Sequence, residues 1–309
     1  MRILIVGAGA TGGYFGGRLA QAGRDVTFLL REGRQKQLQQ NGLVLQTPQG
    51  SITLHPTTIL ASEIAAPYDL IIMTVKSFAL SQAMEDIAPA VGPDTLIMPV
   101  LNGMKHIDLL RQRFGDQHVI GGLCKIHGTM GENGEIIQLT PLHQLYYGAL
   151  QHDQSEALKK VDNCLKDCGF ETFFCDDVAT DLWEKWLFLS TLGAVTILAR
   201  GDTRQVVTSA GGNAMLDGLF NEILATIIAE GYQHRPAKTE GIRQWLSNPE
   251  SPLTSSMYRD LMNGHNIEAE QIIGDLVVRA EKHAIATLLL NAVWVNLQVY
   301  LQQRATQSA

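Results

Sequence analysis

Short β-branched runs alternate with helix-patterned stretches through the first half of the chain, and the alternation stops near residue 177. Residues 3–6 (ILIV) are an apolar run ending at glycine. Residues 25–30 (DVTFLL) are a second, and residues 69–75 (DLIIMTV) are continuous enough to be a strand buried on both faces. Residues 11–22 and 77–88 carry helical spacing, the latter ended by Pro89 and Gly92-Pro93. A strand over 95–98 and a helix over 105–114 follow. Residues 43–45 and 52–54 flank Thr47-Pro48-Gln49-Gly50, a hairpin signal. From 119 to 150, Gly121, Gly128, Gly131, Gly134 and Gly148 punctuate short strands, which predicts antiparallel pairing at the far side of the same sheet. A helix over 153–168 and a strand over 170–174 close this half. Strands alternating with helices predict a parallel sheet wound by crossovers.

Beyond residue 177 the strand signal is gone. Residues 181–198 read as a long apolar helix, with further helices over 214–232, 267–283 and 288–302. Residues 236–253, with Pro249 and Pro252, read as a polar linker. The expected fold class is α/β: a doubly wound N-terminal sheet over residues 1–176, then an all-helical C-terminal domain over 177–309. A chain of 309 residues can hold two cores.

Composition narrows the function classes. Hydrophobic residues make up 45% and charged residues 18%, which sets disorder aside, and a net charge of −7 sets nucleic-acid binding aside. No uninterrupted apolar run reaches the roughly 18 residues of a membrane span, and the apolar start MRILIVGAGA is too short for a signal peptide. Cys164 and Cys168 share a helix face, yet with Cys124 and Cys175 they lack metal-site spacing, so no metal is expected. Reduced thiols fit a cytoplasmic protein.

Gly7-Ala8-Gly9-Ala10-Thr11-Gly12 fits G-x-G-x-x-G, directly after an apolar strand and opening a helix. Gly7 permits the tight turn, Gly9 lets the backbone approach a pyrophosphate, and Gly12, with Gly16 beyond it, lets the helix sit close to the strand. The helix start offers free N–H groups and a positive dipole end to the phosphates. This is the signature of a Rossmann-type dinucleotide-binding domain. At the end of the second strand, where an acidic residue would bind the ribose of NAD, stand Leu30 and Arg31, with Arg34 one turn on. A guanidinium there pairs with a 2′-phosphate and favours NADP(H), although Glu32 offers a competing ribose acceptor.

A hydride acceptor carbonyl needs a proton donor. Lys185, early in the apolar helix, is a candidate. The alternative is a surface lysine paired with Asp181 or Glu184. Asn102-Gly103 falls at the carboxyl end of a strand, where open sheets bind ligands, and Lys76 lies at the same edge. Glu268 and Glu270 begin a helix, where a cap would explain either.

Together these residues resemble the ketopantoate reductase family, whose members reduce 2-dehydropantoate to pantoate with NADPH, a step of pantothenate and coenzyme A biosynthesis. The resemblance spans essentially the whole chain. It rests on Gly7–Gly12, Arg31, Thr74-Val75-Lys76, Leu101-Asn102-Gly103-Met104, Trp183-Glu184-Lys185, Ser255-Ser256-Met257 and Ile267-Glu268 followed by Gly274. It implies that Lys185 is the general acid, that Asn102 holds cofactor and substrate, and that Ser256 and Glu268 bind a small 2-oxo acid. Lys76 would lie near the cofactor.

The resemblance is incomplete. Members commonly carry asparagines four and eight residues beyond the catalytic lysine, and another three residues before the second serine. Leu189, Gly193 and Leu253 stand there instead. The pocket becomes less polar, which opens a shifted 2-oxo-acid preference. The alternatives are a related reductase of another 2-oxo or 3-hydroxy acid, or a non-catalytic NADP(H) sensor. Lys185, Asn102 and Glu268 favour an enzyme. An apolar face on residues 288–297 is a candidate homodimer surface.

Overall fold

The computed structural model describes residues 1–150 and 154–307. The chain begins with β1 (Arg2–Val6), α1 (Ala10–Gln21), β2 (Asp25–Leu29), α2 (Glu32–Asn41), β3 (Leu43–Thr47), β4 (Gly50–Leu54) and β5 (Thr57–Ile59). It continues with β6 (Leu70–Met73), α3 (Leu80–Ile87), β7 (Leu96–Pro99), α4 (Lys105–Phe114), β8 (Gly121–Met130), β9 (Ile136–Gly148), α5 (Ser155–Leu165) and β10 (Glu171–Phe174). The helix expected over 153–168 is α5; its expected first residue, Asp153, lies outside the described residues. Met1–Leu101 and His106–Val178 form one compact unit.

Its first sheet has the order β5-β2-β1-β6-β7, with every pairing parallel. β6 and β7 are buried along their whole length, which is why they read as unbroken apolar runs rather than alternating ones. The chain builds outward from β1 to β2 and β5, then returns to the other side of β1 to lay down β6 and β7. This reversal opens a crevice at the carboxyl ends of β1 and β6, the usual ligand position of a doubly wound sheet.

The stretch after residue 119 departs from expectation. Instead of several short strands extending the first sheet, β8 and β9 are two long antiparallel strands, with a bulge between Ile126 and Gly128. They belong to a second sheet, of order β10-β9-β3-β4 with β8 on β9, which includes the predicted hairpin paired from Leu43↔Leu54 to Thr47↔Gly50. Glycine here makes room instead of ending strands. A Cβ on Gly121 would lie 2.4 Å from Val178 Cγ1, and one on Gly148 2.4 Å from the Cys175 carbonyl. α2 and β5 went unseen in the pattern, because α2 (EGRQKQLQQN) buries only Leu38 and β5 is three residues long.

α1 lies between the two sheets and meets each through a row of glycines. Gly12 and Gly16 face the first: their Cβ positions are 2.1 Å from Thr74 Oγ1 and 2.6 Å from Phe28 Cζ. Gly13 and Gly17 face the second, 2.8 Å from Ile136 Cγ1 and 2.9 Å from Leu45 Cδ1. Tyr14, fully buried, fixes the helix to β9: its hydroxyl donates to Gln138 Oε1 at 3.0 Å and lies 2.5 Å from His143 Nδ1.

The second unit comprises Asn102–Lys105 and Ala179–Ala309. It contains α6 (Val178–Ala199), α7 (Thr203–Val207), α8 (Gly212–Ala229), α9 (Pro236–Leu246), α10 (Ser256–Met262), α11 (Asp275–Lys282) and α12 (Leu288–Gln307), and no strand among the described residues. The expected linker is largely α9. Pro236 sits in its first turn, Arg243 bonds Asp217 and Asn221 at 3.0 and 2.7 Å, and Trp245 stacks on Phe188 at 4.6 Å. α6 is long and apolar enough to cross a membrane by composition, contrary to the reading of single runs. Yet 67% of its most apolar window is buried within the chain, so it serves as a core helix. The expected 267–283 helix is interrupted by a π turn, Glu270–Gly274, ahead of α11.

Glu230, at the C-cap of α8, ties that helix to α11. Its side chain is 6% exposed and bonded to Arg279, to Lys282 Nζ at 2.8 Å and to His283 Nε2 at 2.6 Å. Burial pushes its carboxyl up, but the hydrogen bonds from Lys282, His283 and Arg279 outweigh it and hold the group at about 2, against an ordinary 4.5.

Gly16→Ala destabilises the protein by about 1–3 kcal/mol in urea unfolding, because the methyl cannot enter the α1–Phe28 contact. Gly33→Ala in α2, where nothing lies within 4 Å, stabilises it by roughly 0.5–1 kcal/mol. Equal effects at both positions would refute the close-approach account. The Glu230 carboxyl, depressed on folding, contributes stability that is complete above about pH 4.5 and lost as pH falls toward 2, on the order of 3 kcal/mol. Glu230→Gln is therefore less stable than native protein near pH 7, and the gap narrows near pH 3.

Candidate active site

In the first unit the glycine loop occupies the crevice where the strand order reverses. Gly7 adopts φ +94° and its N–H donates to Leu29 O at 3.1 Å, closing the turn after β1. Thr74, just past β6, locks the loop from the other side. Its N–H donates to Val6 O at 3.1 Å, and its hydroxyl lies 3.0 and 3.3 Å from Val6 O and Gly7 O. A Cβ on Gly12 would meet that hydroxyl at 2.1 Å and Gly7 O at 2.3 Å. Gly9 is the N-cap of α1, with no side-chain cap and nothing within 4 Å of its Cβ position. The first N–H groups of α1, from Ala10, Thr11 and Gly12, lack intrahelical acceptors. They fit a pyrophosphate, held by backbone donors and the positive end of the helix.

The two arginines after β2 have separate roles. Arg34 donates through Nε and Nη2 to Ala8 O at 3.1 and 2.9 Å, and burial lowers its pKa. It braces the glycine loop. Arg31, the N-cap of α2, is exposed; its carbonyl accepts Gln35 N–H at 3.0 Å, and its guanidinium has no hydrogen-bond or ion-pair partner among the described residues. The competing acceptor, Glu32, pairs with Lys36 at 3.6 Å. Lys76 is exposed at the start of the short 3-10 turn Ser77–Ala79.

In the second unit the π turn is the meeting point. Gly103 (φ +82°) passes so close that a Cβ would lie 2.4 Å from Gln271 O. Lys105 pairs with Glu270 at 3.8 Å, and the indole of fully buried Trp186 donates to Ile272 O at 3.1 Å. Asn102, Lys185 and Glu268 are thus each within a few residues of a contact to this turn. The hydrogen bond from Ile272 N–H to Glu268 O, 3.1 Å, fixes the backbone of Glu268 itself. Asn102, Lys185 and Glu268 are all half-buried. Trp186 and the π turn were not singled out in the sequence. The available signal was the Trp183–Trp186 pair beside Lys185.

Lys185 has no ion-pair partner among the described residues, because its acidic neighbours are engaged elsewhere. Arg235 bonds Glu184 through Nε and Nη2, both at 2.6 Å, and Asp181 at 2.7 Å, while Tyr232 donates to Glu184 at 2.9 Å. Of the two serines, Ser256 is exposed in the first turn of α10. Ser255 is buried and caps that helix by accepting Tyr258 N–H at 2.9 Å.

Comparison with known proteins places this architecture. The sequence matches the family description Ketopantoate reductase PanE/ApbA over residues 3–152, and Ketopantoate reductase PanE/ApbA C terminal over residues 177–301. The chain belongs to the ketopantoate reductase family, whose members are oxidoreductases. It is 31% identical over 300 residues to the uncharacterized oxidoreductase YkpB of Bacillus subtilis (97% of this chain, 99% of the relative). It is 25% identical over 292 residues to a 2-dehydropantoate 2-reductase of Streptococcus pyogenes serotype M3 (93% and 94%). A solved D-mandelate dehydrogenase with NADH and anilino(oxo)acetate has the same fold, with TM-score 0.88, 21% identity and coverage of 99% and 100%. The 2-dehydropantoate 2-reductase of Geobacter metallireducens aligns with TM-score 0.85 and 25% identity, over 96% and 99% of the two chains.

Trp186→Phe keeps an aromatic group but removes the donor to Ile272 O and part of the buried volume, at a cost of about 1–2 kcal/mol or more in denaturant unfolding. An unchanged midpoint would show that the indole does not hold the π turn.

Proposed function

We propose that the chain is a cytoplasmic NADP(H)-dependent reductase of a 2-oxo acid, with residues 1–176 as the cofactor domain, 177–309 as the substrate domain, and Lys185 as general acid. The reference substrate is 2-dehydropantoate, whose reduction yields pantoate for pantothenate and coenzyme A synthesis; family membership is its support. The observation that carries the reading is the free amine of Lys185, left without a counter-ion because Arg235 takes both adjacent carboxylates.

When bound, NADPH would supply the hydride that reduces the carbonyl carbon. As negative charge grows on the carbonyl oxygen, the Lys185 ammonium donates its proton there, giving a 2-hydroxy acid and a neutral amine that recovers a proton from water. Asn102 holds cofactor and substrate with an amide that can donate and accept, and Ser256 and Glu268 bind substrate. The loop Gly7, Ala8, Gly9, Ala10, Thr11 and Gly12 holds the pyrophosphate, with Lys76 nearby. Arg31 would hold the 2′-phosphate, a role its paired guanidinium donors suit.

Lys185→Ala lowers kcat for NADPH oxidation with a 2-oxo acid roughly 100- to 10,000-fold and leaves NADPH affinity within about twofold. Arg31→Ala weakens NADPH binding roughly 10- to 100-fold and leaves NADH binding unchanged. Full turnover in the lysine variant would remove the general-acid role. Equal native affinity for the two cofactors would remove the NADP assignment.

A further inference from the structure

Lys185, Leu189 and Gly193 stand at i, i+4 and i+8 of α6 and form one strip along the helix. For two turns beyond the amine this strip offers no hydrogen-bonding side chain. Leu189 is half-buried, so it lines accessible space. At Gly193 a Cβ would lie 3.0 Å from Met257 Cε and 3.9 Å from Ser255 Oγ, so the room a side chain would take is bordered by the Met257 thioether.

The hydroxyls beside the strip are committed. Thr196 Oγ1 donates to Leu192 O at 2.7 Å, which leaves the Ser255 hydroxyl to donate to Thr196 across 3.4 Å. Ser255 Oγ also accepts the capping N–H of Tyr258 at 2.9 Å. On the approach to α10, the backbone of Leu253 is held by Thr203: its N–H donates to Thr203 Oγ1 at 2.9 Å and its carbonyl accepts Thr203 N–H at 3.1 Å. Both groups are engaged within the chain, and the Leu253 side chain adds only hydrocarbon.

We infer that this strip selects 2-oxo acids whose substituent beyond the carbonyl is a branched or aromatic hydrocarbon without a hydroxyl. The inference rests on the reductase reading with Lys185 at the carbonyl. A hydroxyl laid against Leu189 and Met257 gives up its water and finds no partner on this strip, whereas a methyl there loses nothing. The strip therefore ranks 2-dehydropantoate, with its hydroxymethyl group, below its own hydrocarbon analogue.

The test compares 2-dehydropantoate with its deoxy analogue, in which a methyl replaces the hydroxymethyl, on the native protein with saturating NADPH. The expected kcat/KM favours the analogue by about tenfold or more. Leu189→Asn, which adds an amide to the strip, shrinks that ratio about tenfold, while Leu189→Ala, which adds no polar group, keeps the preference. Native preference for 2-dehydropantoate overturns the inference and leaves the reductase reading intact, whereas native failure to turn over either acid overturns both. A folded Leu189→Asn variant with an unchanged ratio overturns the assignment to this strip.

Discussion

The close approach of α1 to two sheets at once is the constraint on which the first unit depends. A helix with ordinary side chains keeps its neighbours roughly 8–10 Å away. The two glycine rows, at 12 and 16 on one side and 13 and 17 on the other, let Thr74, Phe28, Ile136 and Leu45 reach positions a Cβ would occupy. The same proximity brings the carboxyl end of β6 against the turn after β1, so that Thr74 can hold Val6 O and Gly7 O together. The shape of the loop is therefore set by packing that extends well behind it. Glycine in a helix interior costs about 1 kcal/mol relative to alanine, and here the buried contacts of both sheets offset that cost.

What was legible in the sequence tracks how each signal arises. β1, β6 and β7 were visible because burial on both faces leaves a continuous apolar run, and G-x-G-x-x-G because backbone geometry demands glycine at set intervals. α2 was not visible, since a helix that buries one leucine carries no period. α9 reads as linker in the sequence because Pro236 at its start, its polar residues, and Pro249 and Pro252 just beyond it hide a helix held by Arg243 and Trp245. The second sheet was mistaken for an extension of the first because glycine was taken as punctuation. At Gly121 and Gly148 it answers to a neighbour distant in sequence, which local pattern does not encode.

The same division holds in the candidate site. Lys185 was identifiable as a candidate, but its state depends on Arg235, fifty residues further along the chain. From composition, a lysine beside Asp181 and Glu184 reads equally well as a local ion pair. Only the placement of the Arg235 guanidinium, bidentate on Glu184 and reaching Asp181, decides between the two. Arg31 and Arg34 show the reverse. Two cations with equal claims in the sequence are separated by the Ala8 carbonyl, which binds one and leaves the other exposed.

Family membership and substrate choice consequently rest on different physical features. The family match runs over residues 3–152 and 177–301, and the fold beneath it is set by strand runs, glycine approaches and helix spacing. None of these requires a particular side chain at 189 or 193. Those positions lie on α6, whose core face is secured by residues such as Trp186, Leu187 and Val195, so hydrocarbon or amide could line the strip without altering the helix. A fold held by backbone proximity leaves its ligand-facing side chains free to vary. In the proposed reading, the chemistry of the carbonyl step and the identity of the group attached to that carbonyl are therefore separable, the first assigned to Lys185 and the second to the strip beyond it.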